Sequence, residues 1–559
     1  MRKNRNKSEM KINFKNILKI VIPILIIIIF LLIFNYVRKD KNNDKIGLII
    51  NNNVVTAKLK KDLYKNDKSV IYMSMQDVKN YLDKYIYIDK TENKIITTYG
   101  EKVTVLPYND TNITINDSNL KILSGAELNN GDTYLPISQL SKAYNMDMTY
   151  LEEQNTLILD SLERELVTAT AAKKLTVKKK DTSFSSTVDK ITTGENVVLI
   201  SENGKWAKIR TARGKIGYVK TSKLKNKYYV RNKVEKQEQT EKINLVWDYY
   251  SEYAKAPNRA GTTIDGVNVV SPSFFSLVSN GNGKIFSNVG TNGINYINWA
   301  KQNNYKVWAM VSNNSYKDTT SVILNSYTLR TNLINSIVDL ANQYNLDGIN
   351  IDFENMNESD KDMFSRFIIE LKPKLQEAGK VLSVDVTAPD GGGSWSMCYN
   401  RNVIGDVADY IVFMAYDQYG STSAKEGTTA GFNWVETNLK KFIDREEIES
   451  KKIILGIPLY TRLWTEKDGK VTSKIVNMKA VNDVLPKDVT KNWNDELKQN
   501  YVEYTKDGAT YKMWIEDEES IRAKVSLVSQ YNLAGTAAWA KDRENKEIWT
   551  VIKEELNKK

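Results

Sequence analysis

The chain has 559 residues, 80 Lys and Arg against 68 Asp and Glu, a formal charge of +12, one cysteine and no histidine. The missing histidine excludes Ser-His-Asp and Cys-His catalysis and the usual His-containing zinc sites, so carboxylates, Tyr, Lys or Arg must carry any chemistry. The lone Cys398 excludes an intrachain disulfide, and the scattered basic residues form no nucleic-acid-binding motif; the length implies three or four domains.

The first 16 residues are a basic tail, and Ile20 to Val37 is an apolar run whose one clearly polar member is Asn35. Its length and the absence of a small-residue cleavage site predict an uncleaved transmembrane anchor over 17–37. Arg2, Lys3, Arg5, Lys7, Lys11, Lys15 and Lys19 precede it and Arg38, Lys39, Lys41 and Lys45 follow it, which favours a cytoplasmic N-terminus. The expectation is a single-pass protein of the cell membrane with its remaining domains extracellular. A basic ectodomain would be attracted to anionic envelope polymers, although solubility and a bias toward Lys, Asn and Ile account for the charge equally well.

Residues 46–160 hold an internal repeat, in which Tyr72-Met73-Ser74-Met75-Gln76-Asp77-Val78 matches Tyr134-Leu135-Pro136-Ile137-Ser138-Gln139-Leu140. Each copy reads as a short strand, a helical pattern (Val78, Leu82; Leu140, Tyr144) and two strands, near Tyr85–Asp89 and Lys94–Thr98 or Asp147–Leu151 and Thr156–Asp160. The pattern resembles the stalk domain related to the N-terminal domain of copper amine oxidases. That implies a spacer or binding module, without copper, because histidine ligands are missing.

Residues 167–225 alternate apolar runs with turns, including Val197-Val198-Leu199-Ile200, Asn203-Gly204-Lys205-Trp206 and Gly214-Lys215-Ile216-Gly217-Tyr218-Val219, which reads as a small β-barrel. It is similar to bacterial SH3-like domains, a resemblance that implies contact with the cell wall. Trp206 and Tyr218 themselves are expected to be core aromatics rather than ligand contacts. Polar, charged residues 226–242 read as a linker.

From 243 to 559, apolar strand-like runs alternate with helical patterns, so the fold class is α/β. Strands are predicted at Ile243–Trp247, Gly266–Val270, Val307–Val311, Gly348–Phe353, Val381–Val386, Tyr410–Met414, Lys452–Ile457 and Gly535–Trp539. Eight such units fit a (β/α)8 TIM barrel, and the long interval before the last strand predicts an α+β insertion within Leu463 to Tyr511. In the fourth strand, Ile349, Ile351 and Phe353 point to one face while Asn350, Asp352 and Glu354 point to the other. Apolar outside and acidic toward the C-terminal end inside, this strand predicts a site as well as a fold.

With Asp347, Gly348, Asp352 and Glu354 on the fourth strand, Met414-Ala415-Tyr416-Asp417 on the sixth, Gly456 to Arg462 from the seventh and Trp539 on the eighth, the segment resembles glycoside hydrolase family 18. The Asn-Ile-Asp-Phe-Glu run and Met513-Trp514-Ile515-Glu516-Asp517 are more similar to its spore-cortex and cell-wall N-acetylglucosaminidase branch. The resemblance implies a retaining reaction in which the N-acetyl group of the substrate is the nucleophile. Glu354 is then the acid, Asp352 orients the acetamide, and the Tyr416 hydroxyl donates to its oxygen. Asp417 holds the acetamide or a sugar hydroxyl, Trp539 lies under the sugar, and Met414, Tyr460 and Arg462 shape the pocket; packing for Met414 and a structural ion pair for Arg462 stay open.

Asn350 stands where the family usually has an aspartate; it is expected to hydrogen-bond Asp352 without sharing its proton. No cofactor or metal is implied. The partners implied are an N-acetylglucosamine-containing glycan, peptidoglycan or chitin-like, the cell wall through the SH3-like domain and the membrane through the anchor. Chitinase or glycoprotein endo-N-acetylglucosaminidase activity, and a non-catalytic glycan-binding protein, are the alternatives.

Overall fold

A computed structural model describes residues 45–233, 241–279 and 281–558. The predicted tail and anchor, 1–16 and 17–37, lie outside the described residues. Among the described residues no helix is long and apolar enough to cross a membrane. The longest of them, Tyr327–Gln343 and Lys361–Glu377, have 17 residues each and carry charged side chains, against the roughly 20 apolar residues a span requires. The expected placement as a single-pass membrane protein with an extracellular catalytic domain is therefore not supported and is withdrawn.

The chain divides into two compact units. In the first, Gly47–Ile50 runs parallel to Thr156–Ser161, which also pairs with Met146–Leu151. The repeat is visible as a pairing of its two copies: Ile71–Ser74 lies antiparallel to Asp132–Leu135, with Tyr134 opposite Ser74. Ser74 caps the helix Met75–Tyr81 by accepting from the Asp77 N–H at 3.1 Å. Pro136 stands at the matching place in the second copy and has no oxygen to offer, and there a three-residue 3-10 turn, Ile137–Gln139, replaces the helix expected around Leu140 and Tyr144.

Seven strands between Leu166 and Arg231 form one sheet over a small aliphatic core that includes Leu175, Val177, Ile191, Val197, Ile209 and Val219. The predicted turn forms a two-residue hairpin, with Asn203 opposite Trp206 and Gly204 at φ +52°. Trp206 and Tyr218 do not join the core, contrary to expectation. Strand alternation turns Ala207, Ile209, Gly217 and Val219 inward and leaves both rings half-buried on the outer face.

The second unit contains a closed barrel of eight parallel strands: β1 (Ile243–Asp248), β2 (Val269–Pro272), β3 (Lys306–Ser312), β4 (Gly348–Asp352), β5 (Val381–Thr387), β6 (Tyr410–Met414), β7 (Ile453–Pro458) and β8 (Gly535–Trp539). Each strand pairs with its neighbour in chain order, and β8 returns to β1. The predicted strands stand close to these bounds except β2, which begins three residues late because Gly266 sits in a left-handed turn at φ +69°. The outward residues of β4 behave as read: Phe353 stacks on Phe367 of the helix Lys361–Glu377, 5.6 Å between ring centres. A separate inner layer, including Leu245, Trp247, Trp308, Met310, Val412 and Ile454, fills the barrel.

This unit also takes in Tyr87–Val105 and Thr114–Ser118. These pieces meet barrel helices through Glu92, which accepts from the Thr328 N–H at 2.8 Å, and through an Asp117–Lys374 ion pair of 2.8 Å. The insertion before β8 is a five-stranded antiparallel sheet built from Tyr460–Lys467, Lys470–Asn477, Asn492–Asn494, Gln499–Lys506 and Ala509–Ile515, with a short helix Val481–Val484. It begins earlier than expected, so Tyr460 and Arg462 lie on its first strand.

Candidate active site

Glu354 lies two residues beyond β4, and its backbone is fixed from both sides. The Asn313 side chain donates to the Glu354 carbonyl at 2.8 Å and accepts from its N–H at 3.0 Å. Tyr399 donates to the adjacent Phe353 carbonyl at 2.7 Å. Asn355 then turns the chain away through a left-handed conformation at φ +53°, which leaves the Glu354 side chain half-buried at the barrel mouth.

Burial pushes the Asp352 carboxyl up to about 7, the Asp385 charge adds to the effect, and a hydrogen bond with Glu354 works against it. Glu354 is raised well above the usual range by burial first, then by the charge and hydrogen bond of Asp352 and the charge of Asp417. The shared hydrogen bond lowers one group and raises the other, as it must when a protonated Glu354 donates to an ionised Asp352. Of the two, Glu354 is the one that holds its proton near neutral pH, where Asp352 is partly ionised.

Tyr416 stands at the end of β6, half-buried, 6.4 Å from the ring of Tyr460; burial raises its phenol, which stays protonated as a donor. Asp417 follows in a left-handed conformation at φ +56°. It accepts from the Tyr460 hydroxyl at 2.8 Å and faces the Arg462 guanidinium at 3.6 Å. Tyr460 and Arg462 therefore hold Asp417 in place, and Arg462 is an ion-pair partner, the second of the two readings left open. Met414 is buried in the wall.

Trp539 closes β8 with its ring partly exposed, 5.7 Å from Trp247 and 5.5 Å from Tyr249. A cleft of 370 Å³ opens between Trp539, Tyr249, Phe275, Phe286, Asp352 and Glu354. Arg259 ties the end of β1 to the segment after β8, bonding Asp248 at 2.8 and 2.9 Å and Asp542 at 2.8 and 2.9 Å.

Asn350 does not behave as expected. It is fully buried; its carbonyl accepts from the Trp247 indole at 2.9 Å, and its amide donates to Ser383 at 3.0 Å and Asp385 at 2.7 Å. Its partners thus lie on β1, β2 and β5 rather than at Asp352, because barrel closure turns the inward side chains of these strands toward one another in the interior. Asp385, Asn313 and Glu252, which accepts from Asn314 at 2.8 Å at the cleft edge, escaped the sequence reading. A signal for Asp385 existed: Ser383-Val384-Asp385-Val386 alternates polar and apolar in the same way as Asn350 to Phe353.

The family model for glycosyl hydrolases family 18 matches residues 245–544, and that for the copper amine oxidase N-terminal domain matches 38–159. An uncharacterized glycosylase, YvbX, of Bacillus subtilis is 29% identical over 285 residues, 49% of this chain and 80% of that protein. A putative sporulation-specific glycosylase, YdhD, and a cortical fragment-lytic enzyme of the same organism are 32% and 22% identical; the matches span 39% and 42% of this chain and 52% and 56% of theirs. The chain thus spans only about half the length of these two relatives. A chitinase structure from Chromobacterium violaceum superposes with a TM-score of 0.51 at 24% identity, covering 57% of this chain and all of that one, which supports the fold.

Proposed function

The protein belongs to family 18 of the glycosyl hydrolases and is a glycosidase, and from that premise we propose that it cleaves β-1,4 bonds next to N-acetylglucosamine in peptidoglycan, with retention of configuration. The observation that carries this reading is the Glu354–Asp352 pair at the barrel mouth, two carboxyls two residues apart that line one cleft with Trp539.

Glu354 gives its proton to the glycosidic oxygen as the bond to the anomeric carbon breaks. The carbonyl oxygen of the substrate's own N-acetyl group attacks that carbon and forms an oxazolinium ion. Asp352, carrying negative charge beneath Glu354, orients the acetamide N–H and offsets the developing positive charge, while the Tyr416 hydroxyl donates to the acetamide oxygen. Water then attacks the anomeric carbon, Glu354 takes up a proton, and two displacements restore the original configuration. Asp417, held by Tyr460 and Arg462, offers an acceptor to the acetamide or a sugar hydroxyl, and Trp539 gives the sugar a flat apolar floor.

Similarity to glycosylases described as sporulation-specific and cortical fragment-lytic favours a wall glycan. The sheet over Leu166–Arg231 is read as an SH3-like wall-binding module, with Trp206 at a 780 Å³ surface cleft beside the almost fully exposed Phe184.

The test is reducing-end release and product mass from purified peptidoglycan, for the wild-type chain and Glu354→Gln. Expected are fragments with N-acetylglucosamine at the new reducing end and a loss of about 10²–10⁴ in rate in the variant. Faster turnover of chitin oligomers than of peptidoglycan would reassign the substrate, and wall binding without turnover in either form would overturn the catalytic reading.

A further inference from the structure

Across from Asp352 the barrel holds another carboxyl, Asp385 on β5, 1% exposed. It is reached through Asn350, whose amide nitrogen lies 2.7 Å from Asp385 Oδ1. The register of β4 and β5 fixes this neighbourhood, because Asn350 pairs with Ser383 and Ile351 with Val384. Asp385, Asp352 and Glu354 form a column of acids that runs from β5 across to β4 and out to the barrel mouth. No lysine or arginine among the described residues offsets their charge, and Arg462 is turned to Asp417 and Ser473 instead. Asp352 Oδ1 is buried with no hydrogen-bond partner. Three such groups cannot all ionise in a dry interior, so the column keeps protons that its members share.

We propose that Asp385 is a positioning residue of the glycosidase reaction, the innermost carboxyl of this column, which does from β5 what a carboxyl at position 350 would do from β4. Asn350 is the fixed donor that holds it there: Trp247 and Ser271 occupy the Asn350 carbonyl at 2.9 and 3.3 Å, which aims the amide at Asp385 and Ser383. Asp385 never meets substrate. Asp385 is itself pushed well above the usual carboxyl range by burial and by the charge of Glu354, and its charge in turn raises Asp352, whose charge raises Glu354; the three share their protons, and Glu354 keeps its own until the leaving oxygen takes it. The other titratable groups facing the column are Tyr399, which also donates to the Phe353 carbonyl, and Tyr416 and Asp417 beyond β6, none of which is cationic.

The inference rests on the hydrolytic reading, and its test separates the two. The pH dependence of kcat and kcat/KM is measured on a nitrophenyl glycoside of di-N-acetylchitobiose and on peptidoglycan, for wild type, Glu354→Gln, Asp385→Asn, Asn350→Asp and the exchange Asn350→Asp/Asp385→Asn. Activity in the wild type and its loss in Glu354→Gln support the hydrolytic reading; inactivity of the wild type on both substrates overturns that reading and the inference with it.

With an active wild type, Asp385→Asn is expected to move the acid limb of the profile, set by Asp352, to lower pH by about one unit, because removing the carboxyl whose charge raises Asp352 lets Asp352 ionise earlier. kcat at pH 7 should fall about 10- to 100-fold while KM stays within about threefold. Asn350→Asp adds a carboxyl beside Asp385 and should move that limb to higher pH, and the exchange should return it toward wild type. An unmoved acid limb in Asp385→Asn, or a loss of kcat that follows only the melting temperature, overturns the role of Asp385. If Asp385→Asn does not fold, the Asn350→Asp profile decides alone: a shift to higher pH supports the proposal and a static profile refutes it.

Discussion

Asn313 and Glu354 hold each other through two hydrogen bonds, the Asn313 amide donating to the Glu354 carbonyl at 2.8 Å while its oxygen accepts from the Glu354 N–H at 3.0 Å. The clamp is itself fixed: Asn313 is buried at the end of β3, and its amide also reaches Thr320 at 3.2 Å. A segment just beyond a strand has lost its ladder partners, so this side chain substitutes for a neighbouring strand at the residue where position matters most. Asn313→Ala leaves two backbone groups unpaired. The expected result is a fall in kcat of about 10- to 100-fold with little change in KM, and a stability loss of about 2 kcal/mol. Steady-state kinetics beside thermal unfolding checks it; an unchanged kcat would show that Glu354 finds its place without the clamp.

The acid column should leave a mark on stability as well as on rate. A carboxyl whose folded-state pKa lies above its unfolded value contributes stability that is complete below the unfolded pKa and is lost as pH rises through the folded one. For Asp352, raised to about 7 from an ordinary 3.8, the window runs from about pH 4 to about pH 7. At 1.36 kcal/mol per unit the effect has an upper bound of roughly 4 kcal/mol. Asp352→Asn removes the titration, so the gap in unfolding temperature between pH 5 and pH 8 should be smaller in the variant than in wild type. Equal gaps would place the Asp352 titration outside this window.

The barrel was legible because its strands are short runs rich in Val and Ile between helical patterns, and the alternation in Gly348 to Phe353 separates the helix-facing residues from the inward ones. Asp352 and Glu354 stood out through that same alternation. What could not be read was which residues meet across strands. Asn350 and Asp385 are 35 positions apart, and only closure of β4 against β5 brings them to 2.7 Å. The misplacement of Trp206 had a local cause: an aromatic ring in a short strand reads as core, and the register that puts Ala207 and Ile209 inward is set by partners outside that strand.

Trp206 offers a prediction for the sheet over Leu166–Arg231. Its ring is half-buried outside the aliphatic core, beside the exposed Phe184, so truncation removes surface rather than core. Trp206→Ala should reduce sedimentation of the protein with insoluble peptidoglycan by about tenfold while turnover of a soluble nitrophenyl glycoside changes less than twofold. Equal sedimentation of the variant would remove this ring from wall binding. A parallel loss of soluble turnover would mean that the substitution acts on the barrel instead.

Lys524 and Glu516 form a wholly buried pair, Nζ to Oε2 at 2.9 Å, where the last strand of the insertion passes into the helix Glu518–Gln530. Ser520 donates to the same carboxylate oxygen at 2.8 Å and the Gln499 amide to the other at 2.6 Å, so both oxygens are occupied. Such a pair adds little over an apolar substitute of the same shape, but losing one member leaves a bare charge in the interior. Lys524→Met should therefore cost about 3–5 kcal/mol, while Lys524→Met with Glu516→Gln, which removes both charges and keeps the Gln499 contact possible, should recover more than half of that loss. Denaturant unfolding of the two variants and wild type decides the matter. A double variant no more stable than the single one would mean that the pair contributes by its own attraction, and that the insertion is held to the barrel by charge rather than by the packing around it.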